Sequence, residues 1–334
     1  MNYYVFADGL VGLKTNEKHF RWSFGSDAPP ASEQDFQRCR CKLVLETVRD
    51  RDVFPAEETE HREGRFRYFC AKRDGMELLY SRKLPGPWSL RWSLRIEGDT
   101  VYARVGRTYR KAVRLKIMNL HPISYVLFEL TNALLLEQGF AVLYGSAFSL
   151  GASAALIMAP PNAGKTFTAL RLSEDWGAEL LSEDICIFDG EKLYPVPWTN
   201  TYRGKTGQSA GERAARFRRS PAAATHLFFL DREIGSGAID REEAKRRARL
   251  LNRYDLRWYC SPALMVLDYY NGRFSLDALR AKENALLDAL VEGTEGFAVS
   301  ARAPGDYAAL VARYLAGEND PGSAEKGFSK PPVL

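Results

Sequence analysis

The chain has 334 residues, of which 46% are hydrophobic and 27% charged, with a formal net charge of +5. That length holds one large or two medium domains, and the composition is that of an ordinary soluble globular protein. A charge of +5 suits an anionic nucleotide or an acidic peptide, and is a thin footprint for nucleic acid. No apolar run is long enough to span a bilayer. The nearest, Ile123 to Leu136, is interrupted by Ser, Glu, Thr and Asn. The opening MNYYVFADG has no basic segment followed by an apolar core, so no signal peptide is read and the expected location is the cytoplasm. The 5 cysteines, Cys39, Cys41, Cys70, Cys186 and Cys260, form no CxxC pair and no metal spacing, which implies reduced thiols. Cys39 and Cys41, two apart on an expected strand, share a face; packing explains them better than redox or metal chemistry. His19, His61, His121 and His226 form no ligand cluster.

Residues 1 to about 115 read as β-rich. Tyr3 to Phe6 and Gly12 to Thr15 flank a turn, and His19 to Phe24 alternates as a half-buried strand does. After a polar stretch with Pro29-Pro30, Arg38 to Val48 alternates loosely. Arg65 to Ala71 and Met76 to Ser81 form a hairpin across Asp74-Gly75, because Asp-Gly accepts positive φ. Trp92 to Ile96 and Val101 to Val105 form a second. Arginines alternate with aromatics here (Arg65, Arg67, Arg91, Arg95, Arg104, Arg107, Arg110). A peptide- or nucleic-acid-binding face is one reading; the solvent side of an antiparallel sheet is the better one. His121 to Gln138 reads as a buried helix stopped by Gly139. Phe140 to Leu150 reads as a strand that turns through Gly151-Ala152 into a second strand, Ala154 to Met158.

That strand enters the octet Ala159-Pro160-Pro161-Asn162-Ala163-Gly164-Lys165-Thr166. The spacing small-x-x-x-x-Gly-Lys-Thr, between a strand and a helix, is that of a phosphate-binding loop, with Ala159 where the first Gly is usual. A triphosphate needs converging backbone N–H groups, and a tight loop running into a helix N-terminus supplies them. Pro160 to Phe167 are therefore the expected nucleotide ligands. Lys165 would face the β and γ phosphates and Thr166 the Mg²⁺. A helix from Thr166 to Asp175 and a strand from Glu179 to Ser182 lead to Glu183 and Asp184, acids placed to complete a metal site or to accept a proton.

Further on, Ile185 to Phe188 and Lys192 to Tyr194 form a hairpin across Asp189-Gly190. Thr201 to Gly211 reads as a mobile loop carrying Arg203 and Lys205. Ala223 to Leu230 reads as a strand, and Arg241 to Tyr254 as a helix with a dense basic face. Pro262 to Tyr270, Leu276 to Val291 and Asp306 to Leu315 read as helices, with a strand at Phe297 to Ser300. The division expected is a β-rich N-terminal domain, 1–118, that could bind peptide; a phosphate-loop domain, 119–316; and a disordered tail, 317–334.

With these residues in place, the segment from about Val142 to Tyr194 resembles the catalytic domain of HPr kinase/phosphorylase and the wider HPr-kinase-like group, which includes kinases of peptide natural-product pathways such as lasso peptide kinases. The resemblance rests on the strand pair before the loop, the APPNAGKT loop, Thr168-Ala169-Leu170, and Gly177 to Asp184. It implies an α/β fold, a phosphoenolpyruvate-carboxykinase-like P-loop domain with a mixed sheet. It also implies ATP and Mg²⁺, with Lys165 as phosphate ligand, Thr166 and Asp184 as metal ligands, and Glu183 where a first Asp is usual. Thr201-Tyr202-Arg203-Gly204 matches loosely the segment that brings an arginine to the phosphates. The chain departs from the group at Tyr144, where a histidine is usual.

The expected activity is transfer of the γ-phosphoryl group of ATP to a Ser or Thr hydroxyl of a peptide, such as a natural-product precursor. Asp184 or Glu183 would take the proton, and Lys165 and Arg203 would offset charge. A nucleotide-binding regulatory module without transfer, and a kinase of a small free hydroxyl compound, stay open. The expected partners are a nucleotide and a peptide or small-protein substrate, without nucleic acid or membrane; a homo-oligomer is left open.

Overall fold

The computed structural model describes residues 1–17, 30–53, 60–63, 66–73, 75–84, 88–115, 123–196, 217–231, 235–256, 261–272, 274–301 and 304–318. Its contacts divide the chain into two units. Met1–Gln138 with Arg257–Lys282 form the first, and Gly139–Leu256 with Glu283–Leu334 the second. The described helices are α1 (Glu33–Arg38), α2 (Arg107–Arg114), α3 (Ile123–Glu137), α4 (Lys165–Trp176), α5 (Arg241–Asp255), α6 (Pro262–Asn271), α7 (Leu276–Gly293) and α8 (Pro304–Leu315).

The first unit is built on one sheet. Its strands are β1 (Asn2–Phe6), β2 (Val11–Thr15), β3 (Cys41–Val48), β4 (Glu60–Glu63), β5 (Phe66–Arg73), β6 (Gly75–Lys83), β7 (Ser89–Glu97) and β8 (Thr100–Gly106), in the order β1-β2-β3-β8-β7-β6-β5-β4. The β2–β3 and β3–β8 pairs are parallel and the others antiparallel. Alternation sets the buried face: Leu43 and Leu45 on β3, Trp92 and Leu94 on β7, Val101 and Ala103 on β8. Helix α3 is apolar nearly all round and accordingly buried. It packs on β3 and on α6, which in turn packs on β5 and β6. This grouping differs from the boundary expected at 118/119, because the apolar surfaces of α3 and α6 find their partners in this sheet.

Two helices of this unit escape the sequence reading. Helix α1 starts in a capping box in which Ser32 accepts from the Asp35 N–H and the Asp35 carboxylate accepts from the Ser32 N–H. Helix α2 follows β8 directly. Cys39 therefore ends a helix and does not share a strand with Cys41. Both thiols are buried, and burial pushes them up to about 11 and about 12, the range of inert packing groups. Three of the alternating arginines meet acids: Arg104 lies 3.5 Å from Glu46, Arg95 pairs with Glu97 and Arg110 with Glu17.

The second unit holds two sheets. A six-stranded sheet has β10 (Ser146–Leu150), β11 (Ser153–Met158), β12 (Glu179–Ser182), β16 (His226–Asp231), β17 (Gly237–Ala238) and β18 (Glu295–Ser300), in the order β12-β10-β11-β16-β18-β17. The centre, β11-β16-β18, is parallel and the flanks are antiparallel, so the sheet is mixed. A four-stranded sheet has the order β15-β14-β13-β9, from β9 (Ala141–Tyr144), β13 (Ile185–Phe188), β14 (Lys192–Tyr194) and β15 (Ala222–Ala223). Helices α4 and α8 pack on each other over a core that includes Phe148, Ile157, Leu172, Phe228, Phe297 and Tyr307. Full burial of such side chains contributes roughly 1.5–3 kcal/mol each.

Two single strands of the sequence reading are each split in the fold. Residues 140–150 form β9 and β10, which belong to different sheets and part at Gly145. Residues 223–230 form the end of β15 and most of β16. Cations of the basic face of α5 meet acids: Lys245 meets Glu242 and Glu292, Arg246 meets Glu243, and Arg249 meets Asp288. Among the described residues no helix is long and apolar enough to cross a membrane.

Candidate functional site

The loop between β11 and α4 is shaped by two residues of positive φ. Asn162 has φ 62° and Gly164 φ 109°. Asn is one of the few side chains that tolerates this region, and Gly occupies it freely. The Ala163 N–H closes a turn on the Pro160 carbonyl at 3.2 Å, and the Thr168 N–H starts the helical ladder on Gly164 at 2.8 Å. Helix α4 begins on Gly164 with no side-chain cap. Its first-turn N–H groups, with the positive end of the helix dipole, are thus not covered by a capping side chain, which is the condition for anion binding.

Lys165 is the first residue of α4 and is only 4% exposed. Its ammonium donates to the Ala159 carbonyl at 2.9 Å and the Pro160 carbonyl at 3.3 Å, so it lies across the loop. The third contact is aromatic: Nζ stands 4.1 Å from the ring centroid of Tyr144. Thr166 is buried, whereas Pro160 and Asn162 are exposed and Pro161, Ala163 and Gly164 half-buried. Phe167 is exposed, with the Arg171 guanidinium 5.8 Å from its ring centroid.

The acids sit in a two-residue connection. Strand β12 ends at Ser182 and β13 begins at Ile185, so Glu183 and Asp184 carry the chain from the six-stranded sheet to the four-stranded one. Alongside, Gly145 carries it between the same two sheets, from β9 to β10. The crossings are tied together: the Gly145 N–H donates to the Asp184 carbonyl at 2.9 Å, the Ser146 hydroxyl to the Glu183 carbonyl, and the Ala147 N–H to the Ser182 hydroxyl at 3.1 Å. Tyr144 pairs with Ile185 in the ladder. The segment Tyr144-Gly145-Ser146 therefore touches the loop lysine with Tyr144 and the acidic turn with Gly145 and Ser146. Glu183 is 2% exposed, and Asp184 is half-buried.

One anchor escapes the sequence reading. Asn252 of α5 is fully buried, accepts from the Tyr144 N–H at 2.7 Å and donates to Glu283 at 3.0 Å. Its signal was present: Ala244, Ala248 and Asn252 form a stripe at i, i+4, i+8, and a polar group on a buried stripe must have partners. Arg203, Lys205 and the segment 201–211 lie outside the described residues.

Of the predicted residues, the structure thus joins Lys165 and the Glu183-Asp184 turn through Tyr144-Gly145-Ser146, and places Thr166 next to Lys165. Among the described residues no three His, Cys, Asp or Glu side chains cluster as a metal cage. Thr166 at the start of α4 and Asp184 in the turn carry oxygen donors of the kind that Mg²⁺ takes alongside phosphate and water.

Among the described residues these features define a mixed α/β fold of three sheets with a strand–loop–helix unit from β11 to α4. No protein family model and no curated protein sequence matches the chain. Among solved structures it is similar to the HPr(Ser) kinase/phosphatase from Coxiella burnetii, at 13% identity and a TM-score of 0.22, over 28% of this chain and 66% of that one, just under two thirds of its length. This is a partial likeness of fold.

Proposed function

We infer that the chain is an ATP-dependent kinase whose acceptor is a hydroxyl group, a Ser or Thr side chain of a peptide. The observation that carries this reading is the segment Tyr144-Gly145-Ser146, which brings the loop lysine and the Glu183-Asp184 turn into one site. A nucleotide-binding module needs only the loop. A transferase also needs a carboxylate beside it to take a proton, and Asp184 is half-buried there.

In the proposed mechanism the loop N–H groups and Lys165 hold the triphosphate, and Mg²⁺, when bound, would supply positive charge to offset that of the phosphates. Thr166 and Asp184 are the residues that would hold that ion. The acceptor oxygen attacks the γ-phosphorus, the bond to the β-bridging oxygen breaks, and ADP leaves. The hydroxyl proton passes to the carboxylate of Asp184. A depression of about 520 Å3 on the first unit, lined by Lys14, Lys42, Tyr102 and Arg104 with Glu46 and Glu97, supports that unit as the part that holds the peptide.

The test is incubation with γ-labelled ATP and Mg²⁺, alone and with hydroxyl-bearing peptides. Wild type should produce ADP and a labelled peptide, and Lys165→Ala should reduce transfer by at least about a hundredfold. Asp184→Asn should lose transfer while still binding nucleotide. Undiminished turnover in Lys165→Ala would overturn the reading. Binding without any ADP formation would favour the regulatory module.

A further inference from the structure

The contact between Tyr144 and Lys165 has a consequence for how the loop works. Lys165 is almost wholly buried, so its ammonium must be solvated by protein. An ammonium has three N–H donors. The Ala159 and Pro160 carbonyls accept from it, at 2.9 and 3.3 Å. The face of Tyr144 closes a further side at 4.1 Å, well inside the range in which a ring quadrupole attracts a cation. In a desolvated site that attraction is at the upper end of its range.

The backbone that carries the ring is held firmly. Tyr144 is the last residue of β9 and lies opposite Ile185 in the ladder. Its N–H is bound by the buried Asn252 side chain at 2.7 Å, and Asn252 is in turn bound to Glu283 of α7 at 3.0 Å. The next residue, Gly145, is fixed to the Asp184 carbonyl. Sliding this segment would break all of these bonds together, so the backbone that carries the ring is fixed beside the loop.

We propose that Tyr144 is a positioning residue of the nucleotide site: its ring face holds the Lys165 ammonium over the phosphate loop, and the phenol hydroxyl is not needed for this. The inference rests on the nucleotide-binding reading of the loop. Lysine has a long, flexible stem, and an ammonium already fixed in place loses less freedom when phosphate arrives. Removing the ring takes away one of the restraints on the ammonium and weakens binding through Lys165.

The test combines affinity with a spectroscopic signature, on the full chain. Fluorescent N-methylanthraniloyl-ATP with Mg²⁺ is titrated into wild type, Tyr144→Phe and Tyr144→Leu. Tyr144→Phe should bind within about twofold of wild type, and Tyr144→Leu roughly tenfold more weakly. Protons lying over an aromatic face are shifted upfield, so the Lys165 ε-methylene resonance, assigned by its loss in Lys165→Ala, should be upfield in wild type and Tyr144→Phe and ordinary in Tyr144→Leu. An ordinary ε-methylene shift in wild type overturns the proposal, and needs no variant that might misfold. So does equal affinity in Tyr144→Leu, or a Phe variant as weak as the Leu variant. An upfield shift in a wild type that binds no nucleotide would instead overturn the nucleotide reading and leave the ring contact standing.

Discussion

Gly145 stands where a methyl group has no room. A Cβ built on it would lie 2.7 Å from the Ile157 carbonyl oxygen and 2.7 Å from Leu156 Cδ1. The oxygen belongs to β11, the strand that feeds the phosphate loop, and cannot retreat without moving that strand. Gly145→Ala should therefore destabilise the protein by about 1–3 kcal/mol, and should also loosen nucleotide binding. Gly293, at the end of α7, is the control: a Cβ there meets nothing within 4 Å, so Gly293→Ala should be neutral or mildly stabilising. Urea denaturation of the two variants decides it, and equal losses would sink the close-approach argument. At this scale the sequence shows the residues whose chemistry is local. Lys165 and Thr166 are legible as candidates because motif spacing singles out the loop. Tyr144 is legible only as a departure from the group that the loop segment resembles. Its contact with Lys165 spans 21 positions and its bond to Asn252 spans 108, and pattern reading does not reach across such gaps.

Strand β16 shows how one element couples titration to packing. His226 opens it, with ring centroids 6.0 Å from Phe228 on the same face and 6.2 Å from Phe297 on the paired strand β18. Burial lowers its pKa below the ordinary 6.5, against a smaller opposing effect of Glu295. The neutral ring is the form the fold prefers, so the unfolded chain binds more protons wherever the two states differ. The stabilisation is then complete above pH 6.5 and is lost as pH falls toward the folded value. Denaturation of wild type and His226→Gln between about pH 5 and 7 should show wild type losing more stability on acidification; parallel curves would remove His226 as the cause. Hairpins at this scale were legible from Asp-Gly pairs: at Asp189-Gly190 the Asp189 carboxylate accepts from the Glu191 and Lys192 N–H groups, and Gly190 takes φ 103°. The break between β9 and β10 was not. An apolar run looks the same whether it serves one sheet or two, and only the bonds of Gly145 and Ser146 to the Glu183-Asp184 turn divide it. Helix α1 carried its capping residues in plain sight, Ser32 and Asp35, beside a Pro29-Pro30 pair that suggests loop.

For the molecule as a whole, chain order and unit membership part company. The two units alternate along the chain, and the last division between them falls within α7. Composition and periodicity mark a β-rich and an α/β region but cannot say that 257–282 groups with the first unit, since that depends on which apolar face finds a partner. The two units give the nucleotide site a test at the same scale. A ligand that binds only the native state stabilises it by about 2.7 kcal/mol at a hundred times its Kd. For a unit of this size each kcal/mol moves the melting temperature by about 2–4 °C. Saturating ATP with Mg²⁺ should thus raise the transition of the unit that carries the loop by about 5–10 °C. The Lys165→Ala variant should show little or no rise under the same conditions. Limited proteolysis followed along the same ramp identifies which unit is protected, since protection should fall on peptides from 139–256 and 283–318. Protection confined to the first unit, or a full rise in Lys165→Ala, would place the nucleotide away from the loop and overturn the reading of the site.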